Sequence, residues 1–293
     1  MTVATVASAV SRGTERLVLH GLVPESEHER MRCPHQEGAF PFPVKYGYAA
    51  VGRVAEGGDI APGRLVFALH PHQSRFAVPA SALTVLPPDL PAERATLTAN
   101  METALNVVWD SGASAGDRVL VVGCGVVGLL IARLLARFPG VVVTACDINS
   151  TRRTITEEMG ASFSTPDDLP RGFDITINTS GGERGLAVAI EAAGREGRVV
   201  EASWHGARDA SVPLGGTFHS QRLSIVSSQV ASLPPHRQPR WDHARRLSVV
   251  LKLLDDPVLD RLITHEIPLA DAPARLPALI DDPDALAILL RYD

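Results

Sequence analysis

The residue order predicts an α/β protein, a β-rich lobe followed by a doubly wound parallel sheet. Two patterns carry this expectation. The first hundred residues break into short Val- and Ala-rich runs separated by Gly, Pro and Asp turns. From about Thr103 onward, bare apolar strands alternate with helical patterns, which is the signature of βαβ units.

In the first part, "TVATVASAV" (2–10), "AAVGRVA" (49–55), "GRLVFAL" (63–69) and "SRFAVPA" (74–80) read as strands, with "EGGDIAPG" (56–63) as a turn. "TALNVVWDSG" is helical and stops at Gly112. "DRVLVVG" is a strand of the fully buried type, and "VVGLLIARLLARF" is a helix marked only by Arg133 and Arg137. "GVVVTACD" is the next strand. "STRRTITEEMG" is a helix capped by Ser150 or Thr151 and ended by Gly160. Strand "FDITINTS", helix "GERGLAVAIEAAG" and strands "GRVVEASW" and "RLSIVSSQV" follow. After the Pro-rich "SLPPHRQPR", "WDHARRLSVVLKLLDD" is an amphipathic helix. The closing "DALAILLRYD" fits a helix or a strand equally. These patterns divide the chain into 1–103, 104–235 and a C-terminal return, 236–293.

Composition narrows the function. The 293 residues are 45% hydrophobic and 21% charged, with net charge −5. No basic stripe points to nucleic acid, and no apolar run reaches the length of a membrane span. The start lacks the basic n-region and apolar core of a signal peptide, so a cytoplasmic protein is expected. Three dispersed cysteines, Cys33, Cys124 and Cys146, cannot build a Cys₄ zinc site. They read as small buried apolar residues.

"VLVVGCGVVGLL" holds G-x-G-x-x-G at Gly123, Gly125 and Gly128, after a buried strand and opening a helix. Gly123 permits the tight turn, Gly125 admits a pyrophosphate to the backbone, and Gly128 lets helix and strand pack closely. The helix N-terminus offers N–H groups to phosphate. Asp147 closes the next strand, where a carboxylate grips an adenosine ribose and repels a 2′-phosphate. NAD is therefore expected, while Arg152 and Arg153, one turn on, keep NADP open. Val126, Val127, Ile148, Arg152 and Ser180 complete the expected cofactor-binding set. The alternative is a structural glycine turn with a capping Asp.

"AGDRVLVVGCGVVGLL", "CDINSTRRTITEEMGA" and "APGRLVFAL" resemble the medium-chain dehydrogenase/reductase superfamily of zinc-type alcohol dehydrogenases and their zinc-free relatives. "SRGTE", "VKYGYAAVGRV" and "FHSQRLSIVSSQV" are similar to a branch that includes bacteriochlorophyllide a dehydrogenase-like proteins. The resemblance implies a GroES-like β-rich catalytic domain with a Rossmann domain inserted. It also implies a homodimer through the last Rossmann strand, about Leu223 to Val230. It implies an NAD(P)-dependent oxidoreductase acting on a small molecule. An N-terminal hairpin of the family is expected to be missing.

The zinc ligands depart from the family pattern. Ser11 stands at the position of the family's early cysteine, Tyr48 at its histidine and Ala49 at its glutamate. The third ligand position falls near Ala99 and Asn100. A hydroxyl, a phenol and a methyl group do not make a zinc site, so no metal is expected. Without a Lewis acid, a hydrogen-bond donor or general acid must meet the charge of hydride transfer. Tyr48 is the first candidate, with Lys45 lowering its pKa; the plainer reading is a tyrosine packed on a wall. Glu102 is the second, although a Glu at a helix start is favoured by the dipole alone. Thr103 resembles a position contacting the carboxamide of nicotinamide, and Val127 would press on the back of its ring. His70 and His72 would share one strand face, with His70 as a proton relay. Arg12 and Glu15, and 35–37, would shape the substrate entrance. His219 would face the cofactor or a subunit interface.

The leading expectation is zinc-independent exchange of hydride between NAD(H) and a secondary alcohol or ketone. The rivals are an NAD(P)H reductase of an activated C=C or C=N bond, and a non-catalytic dinucleotide-binding sensor or partner module.

Overall fold

A computed structural model describes residues 1–293. In chain order, the first stretch carries β1 (Thr2–Val10), α1 (Arg12–Leu19), β2 (Glu37–Gly38), β3 (Val44–Lys45), β4 (Ala50–Glu56), β5 (Leu65–Ala68), β6 (Arg75–Ala77), β7 (Thr84–Val85) and α2 (Ala92–Ala95). The middle stretch carries α3 (Thr98–Ser111), β8 (Arg118–Val122), α4 (Val126–Leu135), β9 (Val142–Cys146), α5 (Arg153–Glu158), β10 (Ser162–Ser164), β11 (Phe173–Asn178), α6 (Glu183–Ala192), β12 (Ala193–Glu201) and β13 (Ser224–Ser227). The chain ends with α7 (His243–Leu253), β14 (Ile263–Pro268), α8 (Ala272–Asp281) and β15 (Ala287–Arg291).

These elements form two units. The first is Met1–Ala99 with Leu247–Asp293, and the second is Asn100–Arg246. The sequence pattern placed the second divide at 235/236; the structure puts it inside α7. The reason is Arg246, whose guanidinium bonds Glu102 Oε1 at 3.1 Å, Asn106 Oδ1 at 2.8 Å and the Val230 carbonyl at 2.7 Å.

The first unit is built on a seven-stranded sheet ordered β14-β15-β1-β4-β5-β7, with β6 also paired to β1. β1 runs antiparallel to both β15 and β4, with a register shift between Thr5 and Ala7. The ambiguous tail is therefore a strand. Val3, Val54, Val66, Phe76 and Val78 form one buried cluster of this unit, and Val10, Ile267, Ile280, Ile288 and Leu290 another. Each such side chain contributes roughly 1.5–3 kcal/mol when fully buried.

The second unit is a six-stranded sheet ordered β10-β9-β8-β11-β12-β13, parallel at every pairing. The continuous apolar run of β8 is explained by burial on both faces, and β11 beside it is buried at every residue but Asp174. Leu120, Phe173, Leu186, Ile190, Val199 and Leu223 form its core under α6. The strand order reverses direction between β8 and β11, so the carboxyl ends of those strands flank a switch point. No helix in the chain is long and apolar enough to cross a membrane.

Candidate functional site

The glycine turn links β8 to α4 at that switch point. Gly123 has φ +99°, and a Cβ there would lie 2.8 Å from the Ser180 backbone. A Cβ on Gly128 would lie 1.9 Å from the Gly123 carbonyl oxygen. Thr179 braces the turn by donating its hydroxyl to that carbonyl at 2.9 Å. Gly125 differs from both: a Cβ there would meet nothing within 4 Å, and no side chain caps α4. The turn thus closes tightly behind and opens in front of a helix N-terminus, which fits a pyrophosphate.

Asp147 follows β9. Its Oδ2 accepts the Cys124 N–H at 2.6 Å and its Oδ1 accepts the Asn149 N–H at 2.8 Å. The carboxylate is thereby fixed to the glycine turn itself, with acceptor capacity left on each oxygen. Ile148 beside it is 90% exposed, a flat apolar surface next to the carboxylate. Val126 and Val127 are half-buried at the start of α4. Ser180 is exposed, and its hydroxyl donates to Asn178 Oδ1 at 2.8 Å. Arg152 departs from expectation. It is buried, and its charge acts on the Cys124 thiol. The cap of the following turn is Asn149, accepting from the Thr151 N–H, in place of Ser150 or Thr151. Burial pushes the Cys124 thiol up to about 12 and Cys146 up to about 11, so both are inert packing.

Thr103 is half-buried in α3. Glu102, proposed as an acid, is instead committed to Arg246 as a buried ion pair. Burial raises its pKa, opposed by Arg246. The sequence missed this because Arg246 lies far along the chain and reads as one polar mark on an amphipathic helix.

The second cluster surrounds Gly47 in the first unit. Gly47 has φ +125°, and a Cβ there would lie 2.9 Å from His72 Cδ2. The glycine therefore lets the His72 ring close on the turn. Tyr48 is half-buried in the turn after Gly47, its ring edge-on to Tyr46 with centroids 6.0 Å apart. Burial first, and the charge of Glu15 next, push it up to about 12. Lys45 does not lower it: its Nζ donates to Glu37 Oε1 at 2.6 Å and Gln73 Oε1 at 2.7 Å. His70 is no relay either. It lies in a loop, stacked on Phe76 with ring centroids 3.9 Å apart and on His35 at 5.3 Å. Its Nδ1 faces the Pro71 carbonyl, and burial lowers its pKa.

His72, two residues on, makes the connections. Its Nε2 lies 2.9 Å from Glu15 Oε2 and its Nδ1 lies 2.7 Å from Ser8 Oγ, which is 2.7 Å from the Tyr292 hydroxyl. Glu15 Oε1 accepts the Ser11 N–H at 2.7 Å. No spacing rule unites residues 8, 15, 72 and 292; β1, α1, a loop and the chain end bring them together. Ser11 and Ala49 beside them offer no strong metal donor, and no group of three His, Cys, Asp or Glu side chains is placed to hold a metal ion. Burial also pushes the nearby Cys33 thiol up to about 11.

The fold and the glycine turn together define a dinucleotide-fold protein carrying a β-rich lobe. No family model matches the chain. It is similar over most of its length to zinc-type alcohol dehydrogenase-like medium-chain dehydrogenases. The 2-desacetyl-2-hydroxyethyl bacteriochlorophyllide A dehydrogenase of Rhodobacter capsulatus is 26% identical over 307 residues, covering 97% of this chain and 88% of that protein. The match to the 2-dehydro-3-deoxy-L-galactonate 5-dehydrogenase of Pseudoalteromonas atlantica is 27% identical, over 45% of this chain and only 42% of that protein. The solved 2R,3R-butanediol dehydrogenase of Bacillus subtilis has a TM-score of 0.75 at 20% identity, covering all of this chain and 92% of that one. The yhdH oxidoreductase of Salmonella enterica, solved in complex with NADP, has a TM-score of 0.71 at 20% identity, covering all of this chain and 91% of that one.

Proposed function

We propose that this chain is an NAD(H)-dependent oxidoreductase that interconverts a secondary alcohol and its ketone without zinc. The observation that carries the reading is the glycine turn with Asp147 clamped to its backbone. The N–H groups of α4 would hold the pyrophosphate and Asp147 the adenosine ribose. A carboxylate so fixed would repel a 2′-phosphate, which favours NAD over NADP. The bound dinucleotide would supply hydride to the carbonyl carbon, or accept it in reverse.

The chain's own part falls to Tyr48. Its phenol would donate to the reacting oxygen and balance the charge that develops there. The similarity to named dehydrogenases supports the reaction class. β13 is an edge strand, and we infer that it pairs with its counterpart in a second copy to make a homodimer.

Titration calorimetry with NADH and NADPH, followed by turnover with ketones, enones and imines, tests the reading. NADH should bind more tightly, and ketones should be consumed. Enone or imine turnover would instead favour a C=C or C=N reductase, and binding without turnover a sensor. Stoichiometric zinc in elemental analysis would refute the metal-free mechanism.

A further inference from the structure

The six-stranded sheet consists of two halves that meet at the switch point. Strands β8, β9 and β10 make one half and β11, β12 and β13 the other, so β11 corresponds to β8 and β12 to β9. In a sheet of this order each half takes one nucleotide of a dinucleotide. The glycine turn and Asp147 belong to the first half. The second nucleotide would therefore lie over the carboxyl ends of β11 and β12.

A carboxylate stands in the corresponding place. Glu201 closes β12 and pairs in register with Asn178, the last residue of β11. Its Oε1 accepts the Ser203 N–H at 2.7 Å, and its Oε2 accepts Asn178 Nδ2 at 2.8 Å. Asp147 is held in the same manner, by the N–H two residues on and by a donor at the end of the neighbouring strand. Each oxygen of Glu201 keeps a lone pair for a further donor. The loops that carry this clamp are tied to each other. The Gly181 N–H donates to Ser203 Oγ at 3.0 Å, and Arg208 Nη2 donates to the Gly181 carbonyl at 2.8 Å.

One polar atom beside the clamp is left over. His205 Nε2 has no hydrogen-bond partner and lies 3.6 Å from Glu201 Oε2, beyond hydrogen-bond reach. Enclosed polar atoms nearly always have a partner. A sugar hydroxyl, both donor and acceptor, can serve the imidazole and the carboxylate alike. The two side chains are 17% and 15% exposed, so each keeps an edge toward the surface. Helix α6, which follows β11, opens with Glu183, whereas α4 opens with Val126 and Val127. An acid at that helix end opposes phosphate. The second half thus suits a neutral sugar, and the first half the pyrophosphate.

We propose that Glu201 is a second ribose acid, whose carboxylate accepts from the diol of the nicotinamide-side ribose as Asp147 would from the adenosine ribose. This rests on the dinucleotide reading of the glycine turn. The ligand class is a nucleotide that carries a free ribose diol beyond its pyrophosphate.

Calorimetry on the full chain with ADP, ADP-ribose and NADH tests the assignment, because ADP ends before the second ribose. The parent chain should bind ADP-ribose about tenfold more tightly than ADP. Glu201→Gln should remove that advantage, lowering ADP-ribose and NADH affinity about tenfold and leaving ADP affinity in place. Unchanged ADP-ribose affinity overturns the assignment, and so does an equal loss for ADP and ADP-ribose, the outcome for a carboxylate that only closes its own turn. Should Glu201→Gln not fold, the parent decides: equal affinity for ADP and ADP-ribose overturns the assignment, and the tenfold gain supports it. Selective loss of ADP-ribose affinity in a protein that turns over no ketone, enone or imine would retain the assignment and refute the oxidoreductase reading. Turnover with unchanged ADP-ribose affinity would do the reverse, and failure of all three ligands to bind the parent would refute both.

Discussion

The proposed chemistry is testable at two residues, Tyr48 and Gly125. Tyr48→Phe removes one donor and keeps the ring, so kcat should fall about 10²-fold with the dinucleotide affinity unchanged. Steady-state kinetics beside calorimetry measures both. The glycines of the turn separate structure from binding. Gly128→Ala drives a Cβ into the Gly123 carbonyl, and the variant should lose stability in a thermal melt. Gly125→Ala meets nothing in the protein, so the melt should hold while NADH affinity drops at least tenfold. Equal melting and equal affinity for both variants would dissociate this turn from the cofactor. The glycine spacing and the placement of Asp147 were legible from residue order because the turn, the strand and the carboxylate that follows it are local in sequence. Tyr48 was legible as a position, but its acidity was not. Lys45 is its neighbour in the chain, whereas Glu15 is its electrostatic neighbour in space.

Between the strands and helices, the largest departures from expectation involve buried charge and loop geometry. The Glu102–Arg246 pair joins α3 to the first turn of α7 within the second unit. Arg246→Met leaves Glu102 buried without its cation and should cost about 3–5 kcal/mol in urea unfolding. Adding Glu102→Leu should recover much of that loss, since an apolar replacement of a buried pair is often neutral. The loop after β5 carries His70, stacked between His35 and Phe76. Its folded pKa lies below the ordinary 6.5 because burial disfavours the imidazolium. Between the two values the unfolded chain holds more protons, so stability rises with pH through that window. It is full above 6.5 and is lost as pH falls through the folded value. Thermal midpoints from pH 7 to pH 5 should therefore fall less steeply for His70→Gln than for the parent chain. Strand alternation, read from sequence, made His70 and His72 equivalent. The loop makes one a stacked ring and the other the partner of Glu15.

At the level of assembly, β13 leaves one edge of the parallel sheet without a partner strand. Ser224 and Ser227 on it are exposed. Sedimentation should give twice the 31.2 kDa chain mass, and Ser224→Lys/Ser227→Lys should shift it to the single-chain mass, because edge lysines block strand pairing. A single-chain mass for the parent would remove the dimer proposal. Residue order alone established the parallel sheet and the glycine turn, because each rests on short-range periodicity and on backbone conformations that only glycine adopts easily. It left β15 undecided, since five apolar residues suit a helix or a strand until β1 and β14 flank them. It left the chemistry of the Gly47 corner undecided for the same reason. A pKa is set by burial and by the nearest charge, and residues 8, 15, 48, 72 and 292 become neighbours only when the sheet closes around them.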